Sequence, residues 1–196
     1  ALHDAGIDWQ KDVTIQEMKS PSIVLDAVKT GKVDAGIVWL PYQQVAEAQG
    51  LKVVQYSDSF YPGHPCCRFV ATSESLDEDR DTYVKFEKAL IKAYDYIKTN
   101  PDESVADVHK YVDFDKTIIS DSIFSEHFDY SPDPNKKAIE QWWVMMNTIG
   151  YLDSDKDIDQ HIDASVYKQA LDELIAESPD NENYKKLLEF YKENDE

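Results

Sequence analysis

Apolar positions along the first 72 residues follow two different spacings. In the segment 12–18, Val13 and Ile15 alternate with polar neighbours, which is typical of a half-buried strand. The run 33–39 is almost continuously apolar, as in a strand covered on both faces. Segments 51–56 and 68–72 also have strand character. Apolar residues at helical spacing lie between the first and second predicted strands and between the second and third. This order predicts a parallel-sheet α/β unit with right-handed crossovers.

From Ser75 onwards the apolar spacing is helical. Asn100 and Pro101 interrupt the pattern once, and Gly150 interrupts it again. The predicted helices cover residues 82–98, 105–112, 118–123, 139–149, 166–174 and 184–191. We therefore predict two parts, an α/β ligand-binding lobe over residues 1–72 and a mostly α-helical C-terminal region over residues 73–196.

The ends of the predicted strands indicate where a ligand would bind, since parallel sheets bind ligands beyond the carboxyl ends of their strands. Those ends are the turn 19–22, the corner 39–42 and the loop 57–67. The first two lead into helices, whose free N–H groups favour an anion or a polar oxygen. Six residues near these ends are the candidate ligand contacts: Ser20, Ser22, Trp39, Tyr42, His64 and Arg68.

Each candidate also has a structural interpretation. Aromatic rings with a polar edge close over ligands, but they also simply pack, and a serine before a proline often only caps a helix. His64 could donate to an anion, ligate a metal or brace its loop. The guanidinium of Arg68 suits a bidentate oxyanion, although its position could equally face solvent.

Charge and composition narrow the classes of function. The 196 residues carry 20 basic and 39 acidic side chains, a formal net charge of −19, which argues against binding to a nucleic-acid backbone. No apolar run is long enough to span a membrane, and no signal peptide opens the sequence. We find no nucleophile, cofactor or metal motif, and an acidic run at 153–159 lacks the Gly and Glu of a calcium loop. Adjacent Cys66 and Cys67 could be buried thiols, a vicinal disulfide or ligand-facing thiols.

The stretch GKVDAGIVWLPY at 31–42, preceded by DVTIQEM and followed by GHPCCRFVATSESL, resembles the second lobe of substrate-binding proteins of the nitrate/sulfonate/taurine ABC-transporter family. The resemblance implies a two-lobed type II periplasmic-binding-protein fold that closes on a small oxyanion, sulfonate or heterocycle and presents it to an ABC permease in the membrane. Leu40 departs from the acidic residue usual at that corner.

The same resemblance sets expectations about the rest of the protein. It implies an extracytoplasmic location, with any signal or anchor upstream of Ala1, and a first lobe that also precedes Ala1. The C-terminal helices would pack on that lobe, on a second copy or on a partner chain. The leading hypothesis is thus a solute-binding component, or a fragment of one, without cofactor or catalysis. The alternatives are an enzyme similar to thiamine-pyrimidine synthases, using His64, Cys66 and Cys67, and a partner-docking module.

Overall fold

The computed structural model describes residues 1–196 and contains helices and connecting segments only. The α-helices are α1 (Pro21–Lys29), α2 (Tyr42–Ala48), α3 (Ser73–Glu78), α4 (Arg80–Thr99), α5 (Pro101–Val108), α6 (Lys116–Ile123), α7 (Lys136–Thr148), α8 (Ser165–Glu177) and α9 (Glu182–Asn194). Two short 3₁₀ helices lie at Ser57–Ser59 and Ile158–His161. None of the helices combines the length and the apolar character needed to cross a bilayer.

The predicted parallel-sheet α/β lobe is wrong, because the structure has no strand. Apolar side chains of the predicted strands stay exposed: Ile37 is 93% exposed, Val54 80% and Val70 93%. Alternating or continuous apolar residues show that a segment would suit a sheet, but a strand forms only when its N–H and C=O groups pair with a neighbouring strand. In this structure residues 12–18, 33–39, 51–56 and 68–72 run without such pairing.

The chain packs as two compact units. Unit 1 comprises residues 1–62 and 105–129, and unit 2 comprises residues 63–104 and 130–196. The limit between residues 104 and 105 falls within α5. These units are defined by packing, whereas the predicted division at residue 72 separates a ligand-binding part from a helical part by function, and it stays a prediction.

In unit 1, α2 packs against α1 and α6. The start of α1 follows from its sequence: Ser20 accepts a hydrogen bond from the N–H of Ile23 at 3.4 Å, and Pro21 occupies the first turn, where a missing N–H has no cost. The helix buries Leu25 and Ala27. This small core positions α2, and with it Tyr42.

Unit 2 has the larger core, formed mainly by α4, α8 and α9. Its largest fully buried side chains are Ile91, Leu171 and Leu174. At the edge of this core, Lys88 of α4 contacts Glu173 at 3.0 Å and Glu177 at 2.7 Å on α8. Helix α7 packs against α9, so the segment before α7 is held close to the end of the last helix.

Candidate functional site

An aromatic corner in unit 1 contains two of the predicted contacts. The rings of Trp39 and Tyr42 meet nearly edge to face, with centroids 6.4 Å apart, and Tyr42 meets Phe114 in the same manner at 5.9 Å. Tyr42 is fixed because it opens α2, whereas Trp39 is 63% exposed. The corner therefore consists of a fixed ring pair beside an indole whose surface is largely open to solvent.

The two predicted serines flank Pro21 at the start of α1. The hydroxyl of Ser20 is engaged as the helix cap, as described above, and Ser22 is exposed in the first turn. Ser20 therefore caps α1, as the structural interpretation predicted. Ligand contact by either serine stays a prediction.

His64 lies in unit 2, where its ring is tilted against Trp142 with centroids 5.6 Å apart. Its Nδ1 donates to the carbonyl oxygen of Pro65 at 3.2 Å. Both contacts brace the loop that carries His64. The neighbouring carbonyl oxygen of Gly63 accepts a hydrogen bond from Asn135 at 3.2 Å, so this loop also contacts the segment before α7.

Arg68 is held by two backbone carbonyl groups in unit 2. Its Nε donates to Pro134 at 2.6 Å and its Nη1 donates to Cys67 at 2.7 Å. Of the five N–H groups of the guanidinium, three make no hydrogen bond, and the side chain is half-buried. Burial lowers the pKa of Arg68, a shift partly opposed by the Asp133 carboxyl. A fixed guanidinium with unused N–H groups is suited to a small oxyanion.

Two clusters were missed by sequence reasoning. In unit 2, Asp133 and Asp195 are buried beside the start of α7, and burial together with the Asp195 carboxyl raises the pKa of Asp133 to about 8. In unit 1, His127 pairs with Asp58 and stacks on Tyr56. The sequence signals were weak, since the prolines on both sides of Asp133 indicated only a turn and the histidines were scattered.

The two cysteines lie on an exposed segment with their Sγ atoms 3.7 Å apart and no disulfide between them. The interpretation of buried thiols is therefore wrong, because both side chains reach the surface. Partial desolvation of the exposed Cys66 side chain raises the pKa of its thiol, and the neighbouring Cys67 adds to the shift. The structure contains no group of three or more His, Cys, Asp and Glu side chains arranged to hold a metal ion.

Comparison with known proteins places this chain in a family. A family model described as the NMT1-like family matches residues 1–112, more than half of the chain, and the chain belongs to that family. A Bacillus subtilis (strain 168) protein named "Putative binding protein YtlA" is 27% identical over 186 residues, which is 92% of this chain and 54% of the Bacillus protein. The chain thus spans about half the length of that relative. No solved structure matches.

These matches support the general part of the resemblance noted at residues 31–42, which is similarity to solute-binding proteins. They support a family that includes binding proteins, and they specify no nitrate, sulfonate or taurine subset. The matched residues 1–112 include all six predicted contacts.

Proposed function

We propose that this chain is a solute-binding protein, or the ligand-binding part of one, that takes a small oxyanion, sulfonate or heterocycle. The observation that carries the proposal is the state of Arg68, which is anchored by Pro134 and Cys67 while three of its N–H groups stay unused. An anchored guanidinium offers paired donors at little entropic cost, which is what recognition of a planar or tetrahedral oxyanion requires. Membership of the NMT1-like family and the similarity to a Bacillus binding protein support the proposal.

The overall charge does not oppose this proposal. The chain is strongly acidic, but a small anion responds to the local field of its site rather than to the sum over the surface. In unit 1, the exposed indole of Trp39 offers a flat apolar face of the type that stacks on a heterocycle.

The transport role is the finer part of the proposal. We propose an extracytoplasmic protein that delivers its solute to an ABC permease and performs no catalysis. The support is the resemblance of residues 31–42 and the family match. The match covers only 54% of the Bacillus relative. The activity and partners of a whole protein of that length are therefore also part of this proposal.

Titration calorimetry with defined probes tests the binding site. Sulfate, nitrate, taurine and an aminopyrimidine would be titrated into the full chain and into Arg68→Lys, which keeps the charge but loses the planar fork. We expect one probe class to bind and Arg68→Lys to weaken it at least about tenfold. The matched control is Arg80→Lys, since Arg80 is the other arginine of the chain and bonds to Ser165 instead.

Two outcomes would contradict the proposal. Equal affinity of the unmodified chain and of Arg68→Lys for the bound probe would show that Arg68 does not contact it. Failure of every probe to bind would show that the chain does not take the proposed classes of ligand. Mass spectrometry of the bound probe after incubation distinguishes the enzyme alternative, because a binding protein returns its ligand unchanged. Loss of a chemical conversion in Cys66→Ser and Cys67→Ser would favour the enzyme.

A further inference from the structure

Two buried carboxyl groups in unit 2 are held side by side by consecutive backbone N–H groups. The N–H of Asn135 donates to Oδ1 of Asp133 at 2.8 Å, and the N–H of Lys136 donates to Oδ1 of Asp195 at 2.8 Å. Asp133 is 3% exposed and Asp195 is 8% exposed. These contacts join the loop before α7 to the residue that follows α9.

The second oxygen of each carboxyl lacks a partner. Oδ2 of Asp133 and Oδ2 of Asp195 are both buried and accept no hydrogen bond from any N–H or O–H group. An ionised carboxylate only accepts, whereas a protonated carboxyl also donates. One proton held between the two Oδ2 atoms would satisfy both of them, and two bare carboxylates would satisfy neither.

The charges around the pair also require one proton. Arg68 faces the pair and balances a single negative charge, while the ammonium of Lys136 is engaged with Asp159 and Glu140. A second negative charge in this buried place would have no counterion. The titratable and charged groups that face the pair, or face its tyrosine neighbours, are Arg68, Glu87, Tyr94, Lys136, Tyr167, Lys168, Tyr191 and Glu196. Lys168 is already paired with Asp172.

We propose that Asp133 and Asp195 share one proton and form a pH-operated fastener between the end of α9 and the start of α7. The raised pKa of Asp133 supports the proposal, since it places the loss of the shared proton near pH 8. Below that pH the fastener holds, and above it the two carboxylates repel each other and the end of α9 is released. The fastener and the proposed oxyanion site share Arg68, which faces the pair and is anchored by the carbonyl group of Pro134 beside Asp133, so the fastener applies to the chain without ligand.

The pH dependence of the unfolding equilibrium of the full chain tests the fastener. Folding retains a proton that the unfolded chain has lost, so the unfolding constant should rise with pH, about tenfold per pH unit between about pH 5 and pH 7, and level off above about pH 8. All variants carry Glu87→Gln, because the buried carboxyl of Glu87 titrates in the same range. Urea titrations between about pH 5 and pH 9 provide the constants.

Asp133→Asn is the decisive variant, because its amide donates to Asp195 at every pH. We expect its unfolding constant to change less than about twofold over the same range, while the exposed control Asp180→Asn keeps the steep rise. A steep rise that persists in Asp133→Asn would overturn the proposal. If that variant does not fold, carbon-13 NMR of the aspartate carboxyls in the unmodified chain decides: the fastener requires one proton on the pair at neutral pH, and full ionisation of both carboxyls would overturn it.

Discussion

His127 donates a hydrogen bond from Nδ1 to Oδ2 of Asp58 across 2.9 Å, although the two residues are 69 positions apart in the chain. The imidazole also stacks on the ring of Tyr56, with centroids 3.6 Å apart and planes 14° from parallel. The pair connects the short helix Ser57–Ser59 to the segment that follows α6. The hydrogen bond from His127 lowers the pKa of Asp58, so the ionised form of Asp58 is the one stabilised by folding.

Replacing Asp58 by Asn should destabilise unit 1 at neutral pH, because the amide oxygen still accepts from His127 but carries no charge. A carboxyl whose pKa is lowered by folding adds stability above its unfolded value of 3.8, and that stability is lost as the pH falls through the folded value. The difference between the variant and the unmodified chain should therefore shrink as the pH falls below 3.8 and the carboxyl of Asp58 becomes protonated. Urea unfolding at neutral and acid pH measures this.

Asp121→Asn is the matched control for this prediction, since Asp121 is an exposed aspartate of α6 in the same unit. It should leave stability unchanged at both pH values. A destabilisation by Asp58→Asn that is equally large in acid would mean that charge pairing with His127 is not the cause.

A second prediction concerns Gly36, which lies in the segment 33–39 that the sequence predicted to be a strand. A methyl group at Gly36 would overlap Cγ1 of Val24 and approach Cγ2 of Val28 to 3.1 Å. Gly36→Ala should therefore lower the free energy of unfolding by about 1–3 kcal/mol through overpacking against α1. Chemical denaturation provides the measurement.

The double variant with Val24→Ala serves as the control for Gly36→Ala. Removing Cγ1 of Val24 makes room for the added methyl group, so the double variant should lose less stability than the sum of the two single losses. Additive losses would show that Gly36 is not limited by its contact with α1.

The helices were the predictable part of the fold. Their apolar spacing is a local property, and local signals such as Ser20 before Pro21 set the start of α1. Long helices occur at the predicted positions in the C-terminal region 73–196, including α4, α8 and α9. The strands failed because a sheet requires partners that local spacing does not identify, and side chains such as Ile37 and Val70 stay exposed.

The same distinction applies to the candidate site. Trp39 and Tyr42 are three positions apart, so their proximity was predictable from the sequence. The partners of Arg68 were not, because its donor Nε bonds to Pro134, 66 positions away. The predicted ligand role of Arg68 stays a prediction, and its anchorage is a result that only the folded chain provides.

Glu87 in α4 supplies the last prediction. Its Oε2 is buried without a hydrogen-bond partner, and burial raises the pKa of the carboxyl to about 7. At pH values between the ordinary pKa of 4.5 and the raised pKa of about 7, Glu87 holds a proton in the folded chain that it has lost in the unfolded chain. Stability from this group is therefore greatest in acid and decreases as the pH rises through that range.

Glu87→Gln should therefore stabilise the chain at about pH 8, by on the order of 1–3 kcal/mol once solvent screening is allowed for, and should have little effect at about pH 4. The exposed Glu189 of α9 provides the control, since Glu189→Gln should change neither value. Urea titrations at the two pH values give the four differences needed. Equal stabilisation at both pH values would contradict the prediction. The substitution should act only at pH values where Glu87 ionises in the unfolded chain and burial opposes its ionisation in the folded chain.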